Sequence, residues 1–388
     1  MSVVLWTCYL LSGAAALALE MLWMRSAALV LGGTASTTAA VLACYFAGLA
    51  LGAAAAARPT ARPARRYARL EFAAAAGAAW SVVVFTSLRS DAAQHTLAIL
   101  PGSAFVAIAI AIVPATLCFG ATLPAIGQAL APRGTLRWRA ALLYALNTVG
   151  AMLGIAAAGF GLPAAIGVLA SYGVAAAASA TAGLLAFSVA HAVDLRTVAA
   201  SVPTSSPQRA PKEPAAASSR PERQAASAGG RALRTARAEP DDASRARLYL
   251  VAAASGALGL GLEVLWVRFF AQVLHNSVYS FTAVTLVVVA GLALGAAVAA
   301  LLLRRFSARA VASGALAACA ITTLAGFWVF IRSTDGLAYV GMHTGLGEYL
   351  CRIVLLTAAT AGPAAAASGA ILPALWAIWG DADGAARP

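Results

Sequence analysis

The sequence predicts an all-α polytopic membrane protein, with about ten transmembrane helices in two repeats of the same orientation, six helices and then a truncated four. Three observations predict it. Hydrophobic residues make up 61% of the chain and charged residues 11%, against about 25% charged in a soluble domain, and the mean hydropathy is +0.82. Apolar runs long enough to cross a bilayer are separated by short gaps that hold most of the arginines. The chain also repeats itself. SGAAALALEMLWMR from Ser12 returns without a gap as SGALGLGLEVLWVR from Ser255, which pairs Glu20 with Glu263, Trp23 with Trp266 and Arg25 with Arg268. The GLALG runs at Gly48 and Gly291 continue this match. Further on, PATLCFGATLPA (Pro114 to Ala125) is echoed by PAAAASGAILPA (Pro363 to Ala374). Two matched blocks in the same order mark a duplicated unit.

In chain order, the first apolar stretch, Val3 to about Leu31, exceeds a perpendicular span of roughly 20 residues, so it must tilt or leave the membrane near Glu20 to Arg25. No basic residue precedes it and no cleavage pattern follows, so it reads as a retained helix and not as a signal peptide. The second helix covers about Thr37–Ala57 and ends at the arginine-rich RPTARPARR. The third covers about Leu70–Leu88. The fourth, about Ser103–Leu130, contains Pro114 and Pro124, which should kink it or split it into a span and a surface segment. The fifth covers about Ala140–Phe160, and a Gly-Leu-Pro turn leads into the sixth, about Ala164–Ala190.

These six helices form a first membrane repeat over residues 1–190. Residues 191–247, rich in Ala, Ser, Pro, Arg and Glu, read as a disordered basic cytoplasmic linker, because they hold too little apolar surface to offset the entropy of ordering. The second repeat, 248–380, has helices from Leu248, at about Phe281–Leu303, about Ala310–Ile331 and about Tyr349–Trp379, followed by a cytoplasmic tail, 381–388. It stops after its GAILPA block, where the first repeat continues into two more helices, so the chain reads as a reduced descendant or as part of a longer product. Arginine bias puts both termini in the cytoplasm, with the repeats related by an axis along the membrane normal.

The formal charge of +13 does not indicate nucleic acid, since the arginines lie between apolar runs and not on one face. The five cysteines (Cys8, Cys44, Cys118, Cys319, Cys351) lack CxxC spacing and read as small core residues. His95, His191, His275 and His343 lack a second ligand at metal spacing. No metal or cofactor is expected.

Ionisable groups within membrane spans cost roughly 2.5–3.5 kcal/mol on insertion scales, so each is a functional candidate. Glu20, Arg25, Glu263 and Arg268 are placed equivalently by the duplication. Three uses are open to them. ExLWxR can lie at the outer interface, with tryptophan as anchor and both charges snorkelled to water. Glu20 can pair with Arg268, and Glu263 with Arg25, across the repeats. Or the carboxylates can meet a solute or proton. Glu71 has no duplicate, its counterpart being Gly314, and its position two residues after Arg69 suggests a snorkelled interfacial carboxylate. Asn147 can hydrogen-bond between helices or to a ligand, the former being the commoner use. The loop Arg332 to Glu348, with Asp335, Tyr339 and His343, can cap a cavity or be plainly solvated.

SGAAALALEMLWMR and its copy, the GLALG runs, LEFAAAAG, PATLCFGATLP and YALNTVGAMLG resemble the bacterial membrane proteins described as fused major-facilitator/spermidine-synthase-like proteins. In that family the membrane part precedes a soluble aminopropyltransferase-like domain, which has no counterpart here. GALGLG at Gly256 to Gly261 lies within a membrane helix, where glycines permit close packing and do not cradle a nucleotide. The resemblance implies a transporter-like bundle that binds or moves a small metabolite such as a polyamine. The alternative it implies is a membrane anchor or scaffold for a spermidine-synthase-like domain that is missing here or supplied by a partner polypeptide. No nucleophile with a base, metal set or nucleotide loop marks the chain itself as an enzyme.

Overall fold

The computed structural model describes residues 2–130, 136–201, 242–274, 278–338 and 345–382, and no strand occurs among them. The earlier part holds α1 (Ser2–Leu31), α2 (Ala35–Ala56), α3 (Pro63–Ser87), α4 (Asp91–Ile99), α5 (Ser103–Leu130) and α6 (Leu136–Ala156). A π-helical turn (Ala157–Gly161) then leads to α7 (Leu162–Ile166) and α8 (Val168–Ser201). The later part holds α9 (Asp242–Val273), α10 (Val278–Leu302), α11 (Ala308–Ser333), α12 (Leu346–Thr360), α13 (Gly362–Gly369) and α14 (Ile371–Ala382). Among the described residues nine helices are long and apolar enough to cross a membrane, or ten if the pair Gly347–Thr360 and Gly362–Ile378, bent by 51°, is one broken span. This helix content and apolarity are those of an integral membrane protein.

α1 neither breaks nor leaves the bundle near Glu20. Its middle, Leu19 to Met24, is buried by protein on all sides, so the charged group inside it needs no exit to water. At about 1.5 Å per residue its 30 residues are longer than a hydrocarbon thickness of roughly 30 Å. α2 begins at Thr34, whose hydroxyl accepts from the Thr37 amide at 3.2 Å. It ends where Arg66 donates to the Ala55 and Ala56 carbonyls, both at 3.3 Å. One arginine of the basic gap thus caps a helix whose last carbonyls would otherwise be orphaned.

α3 starts earlier than its hydropathy suggests, with Pro63 in the first turn. Asp194 near the end of α8 accepts from the Ala64 amide at 3.0 Å and lies 3.8 Å from Arg65 Nε. A carboxylate there satisfies an orphan amide and complements the helix dipole. The turn between the fifth and sixth spans lies at Gly167, whose φ of +82° favours glycine. The Gly-Leu-Pro segment enters α7 instead. α8 runs on to Ser201 and α9 begins at Asp242, so both ends of the expected linker are helical, while residues 202–241 lie outside the described residues.

Glycines set the tightest seams. α2 crosses α5 where added Cβ atoms at Gly48, Gly52 and Gly120 would collide with Thr116, the Leu117 carbonyl and the Leu49 carbonyl. α10 crosses α13 where Gly291, Gly295 and Gly369 meet Ala365, the Ala366 carbonyl and the Leu292 carbonyl. Each contact in the second set joins the positions that the duplicated sequence pairs with those of the first.

The proline block behaves differently in its two occurrences. α5 passes through Pro114 and Pro124 as one helix, and is not split into a span and a surface segment. Pro114 lacks an N–H for the Ile110 carbonyl, and the Trp80 indole of α3 supplies one at 2.9 Å. At Pro363, preceded by Gly362, the helix breaks between α12 and α13.

Candidate functional site

The two parts meet where α10 lies against α6, α1 and the π-helical turn, and where α9 approaches α2. Phe160 stacks on Tyr279 with ring centroids 6.3 Å apart, and Gly159 lets Thr282 close against the turn. Within this junction Glu20 of α1 and Glu263 of α9 are buried, 1% and 7% exposed. They lie within electrostatic reach of each other and of Tyr45 on α2. Thr285 of α10 donates to Glu263 Oε1 at 3.3 Å. Glu20 Oε2 and the Tyr45 hydroxyl, both buried, have no hydrogen-bond partner among the described residues.

This placement differs from the interfacial expectation for ExLWxR. Trp23 and Trp266 are fully enclosed. Trp23 Nε1 donates to Ser81 at 2.8 Å, which ties α1 to α3. Trp266 stacks on Phe327 at 4.7 Å within a cluster that includes Phe269, Phe270 and Phe330, where its N–H has no acceptor among the described residues. Arg25 is half-buried and Arg268 exposed. Among the described residues neither pairs with a glutamate; the ion pair there is Arg65 with Asp194. The reason is helical phase, since five residues advance a helix by about 140° beyond a full turn. Turning the glutamates inward turns the arginines away.

Glu71 is also interior. It is fully buried between α3 and α8, not snorkelled to the edge. Ser179 of α8 donates to Glu71 Oε2 at 2.6 Å. Ser12 and Tyr67 border the same carboxyl, and among the described residues Glu71 Oε1 has no geometric hydrogen-bond partner. The site belongs to the α1–α3–α8 core and is separate from the Glu20–Glu263 junction. Asn147 is half-buried on α6, where its carbonyl and Oδ1 lie over Gly13 of α1. It marks a helix crossing. Tyr339 and His343 lie outside the described residues, as does His275; Asp335 lies in the described turn after α11.

Sequence reasoning missed Tyr45, Thr285 and Ser179. Repetition could not flag the first two, because their paired positions are Val288 and Leu42. Among the described residues no group of three His, Cys, Asp or Glu side chains could hold a metal. A shallow cleft of about 440 Å³ lies elsewhere, lined by Trp80, Ala109, Ile110, Val113 and Pro114. It is apolar. No family model, curated protein or solved structure matches the chain.

Proposed function

We propose that the chain is a transporter-like bundle of two same-orientation repeats, six helices and then four, whose junction binds a small cationic solute or a proton at Glu20 and Glu263. The observation that carries this reading is the meeting of two buried carboxylates, neither of which forms an ion pair with a cationic side chain among the described residues. Two such groups in an apolar interior repel each other when both are charged, so they favour holding a proton or meeting a cation. The unpartnered Glu20 Oε2 and Tyr45 hydroxyl offer the polar atoms that an ammonium group would occupy. The equivalent glycine seams support the repeat arrangement. A polyamine is the solute class and the bacterial inner membrane the location that the sequence resemblance implies, and cytoplasmic termini are the placement that arginine bias implies.

The test is uptake of labelled putrescine or spermidine into proteoliposomes. Wild-type uptake that falls at least tenfold in the Glu20→Gln, Glu263→Gln double variant supports the reading. Equal uptake in both removes the carboxylates from it. The anchor or scaffold reading is favoured by a different observation, the close junction between the two parts where Gly159 lies against Thr282 without room for a side chain. It gains if no solute is taken up and a synthase-like protein co-purifies.

A further inference from the structure

The same stretch of sequence is buried in one place and bare in the other. On α1, Ser12, Gly13 and Ala15 are enclosed, because α6 lies along them. An added Cβ at Gly13 would strike Asn147, while Gly150 and Gly154 of α6 sit over the Leu10 and Ala14 carbonyls. The paired positions on α9 are Gly256 for Gly13, Ala253 for Leu10 and Ala257 for Ala14. All three are exposed, and no described atom lies within 4 Å of a Cβ built on Gly256. Leu258, paired with the enclosed Ala15, is 50% exposed. Only 11% of the apolar window of α9 is buried, against 56% for α1. Among the described residues no helix takes beside α9 the place that α6 takes beside α1.

We propose that this bare face of α9 is a docking surface for a transmembrane helix of a partner polypeptide that carries the N-x-x-G-x-x-x-G spacing of Asn147, Gly150 and Gly154. Glycines at that spacing would seat over the Ala253 and Ala257 carbonyls, and the asparagine would lie over Gly256. Backbone approach of this kind, with dispersion contacts and interhelical hydrogen bonds, is what drives helix association in lipid, where the hydrophobic effect gives no help. The inference rests on the repeat arrangement proposed above but not on transport, which its test does not measure.

The probe is a labelled synthetic peptide of residues 136–166, titrated by energy transfer against the full chain in lipid nanodiscs. Saturable one-to-one binding is expected, weakened at least tenfold by Gly256→Ile or Ala257→Leu in the chain and by Gly150→Ile in the peptide. Gly256 faces open space, so Gly256→Ile should leave helicity and elution volume unchanged; Ala257→Leu is the second variant should it not. Absent or non-saturable binding, or binding indifferent to these substitutions, overturns the proposal and makes the face a lipid surface. Self-association of the chain without peptide, abolished by Gly256→Ile, overturns it in favour of a second copy.

Discussion

Glu71 shows what one ionisable side chain does when a bundle closes over it. Its carboxyl is held by a single short bond from Ser179 and bordered by Ser12 and Tyr67. Replacing Ser179 by Ala should lower stability by about 1 kcal/mol, the scale of interhelical hydrogen bonds in membranes, as measured by unfolding equilibria in mixed micelles. Glu71→Gln, which keeps the shape and an acceptor, should cost less than Glu71→Leu, which leaves the Ser179 hydroxyl only the Glu71 backbone carbonyl, 3.0 Å away. Equal losses for the two would mean that packing, and not the bond, holds α8 to α3. The candidate residues themselves were legible in the sequence because acids in apolar runs are rare, and duplication singled out Glu20 and Glu263. Their surroundings were not. Whether ExLWxR faces lipid, water or protein depends on which helix lies opposite, and a motif read along one strand of sequence carries no information on that. Tyr45 and Thr285 break the repeat at the site itself, so a search by self-similarity passes over them.

At the level of helices, two contacts decide shape. The first is the indole bond across Pro114. Trp80→Phe removes the only described donor to the Ile110 carbonyl, and α5 should then bend at Pro114, as the chain does at Pro363. A spin-label distance between its two ends should shorten in the variant and stay fixed in wild type. The second is the glycine seam. Gly52→Val drives a branched side chain into the Leu117 carbonyl, and should cost about 1–3 kcal/mol as overpacking or separate α2 from α5. Gly102→Val is a poor control, because its φ of +80° is itself unfavourable to valine. Gly127→Val is the better one, with no described atom within 4 Å. Hydropathy found the spans because each is long and apolar. It missed the amphipathic α4, too short and too polar to register, and it placed the turn at Gly-Leu-Pro because proline is the stronger signal. The backbone uses Gly167, since proline is welcome in the first turn of α7.

Across the whole molecule the two parts are unequally wrapped. α1, α3 and α8 enclose one another, while the described protein covers little of α9 and α11. Hydrogen exchange should therefore be faster in α9 and α11 than in α1 and α3 at the same depth in the bilayer. Equal protection would point to an occupant already in place on α9. The arginine bias makes a separate, checkable statement: a cysteine at Arg62 should react with a membrane-impermeant maleimide from the cytoplasmic side, and one at His95 from the opposite side. Purified chain supplied with putrescine and decarboxylated S-adenosylmethionine is expected to form no spermidine. The duplication was legible as sequence. The difference in wrapping between its two occurrences was not, because burial is a property of neighbours.

The bond from Asp194 to the start of α3 has a mechanical consequence. The chain leaves the earlier part through the end of α8, and a few residues before it does so it is fastened, by Asp194 to the Ala64 amide and by Arg65 beside it, to the opening turn of another helix. A pull transmitted along the connecting segment arrives first at this fastening. It is resisted there by one charged clamp near the membrane surface, before any of the force reaches Ser179 and the carboxyl of Glu71 deeper in the bundle.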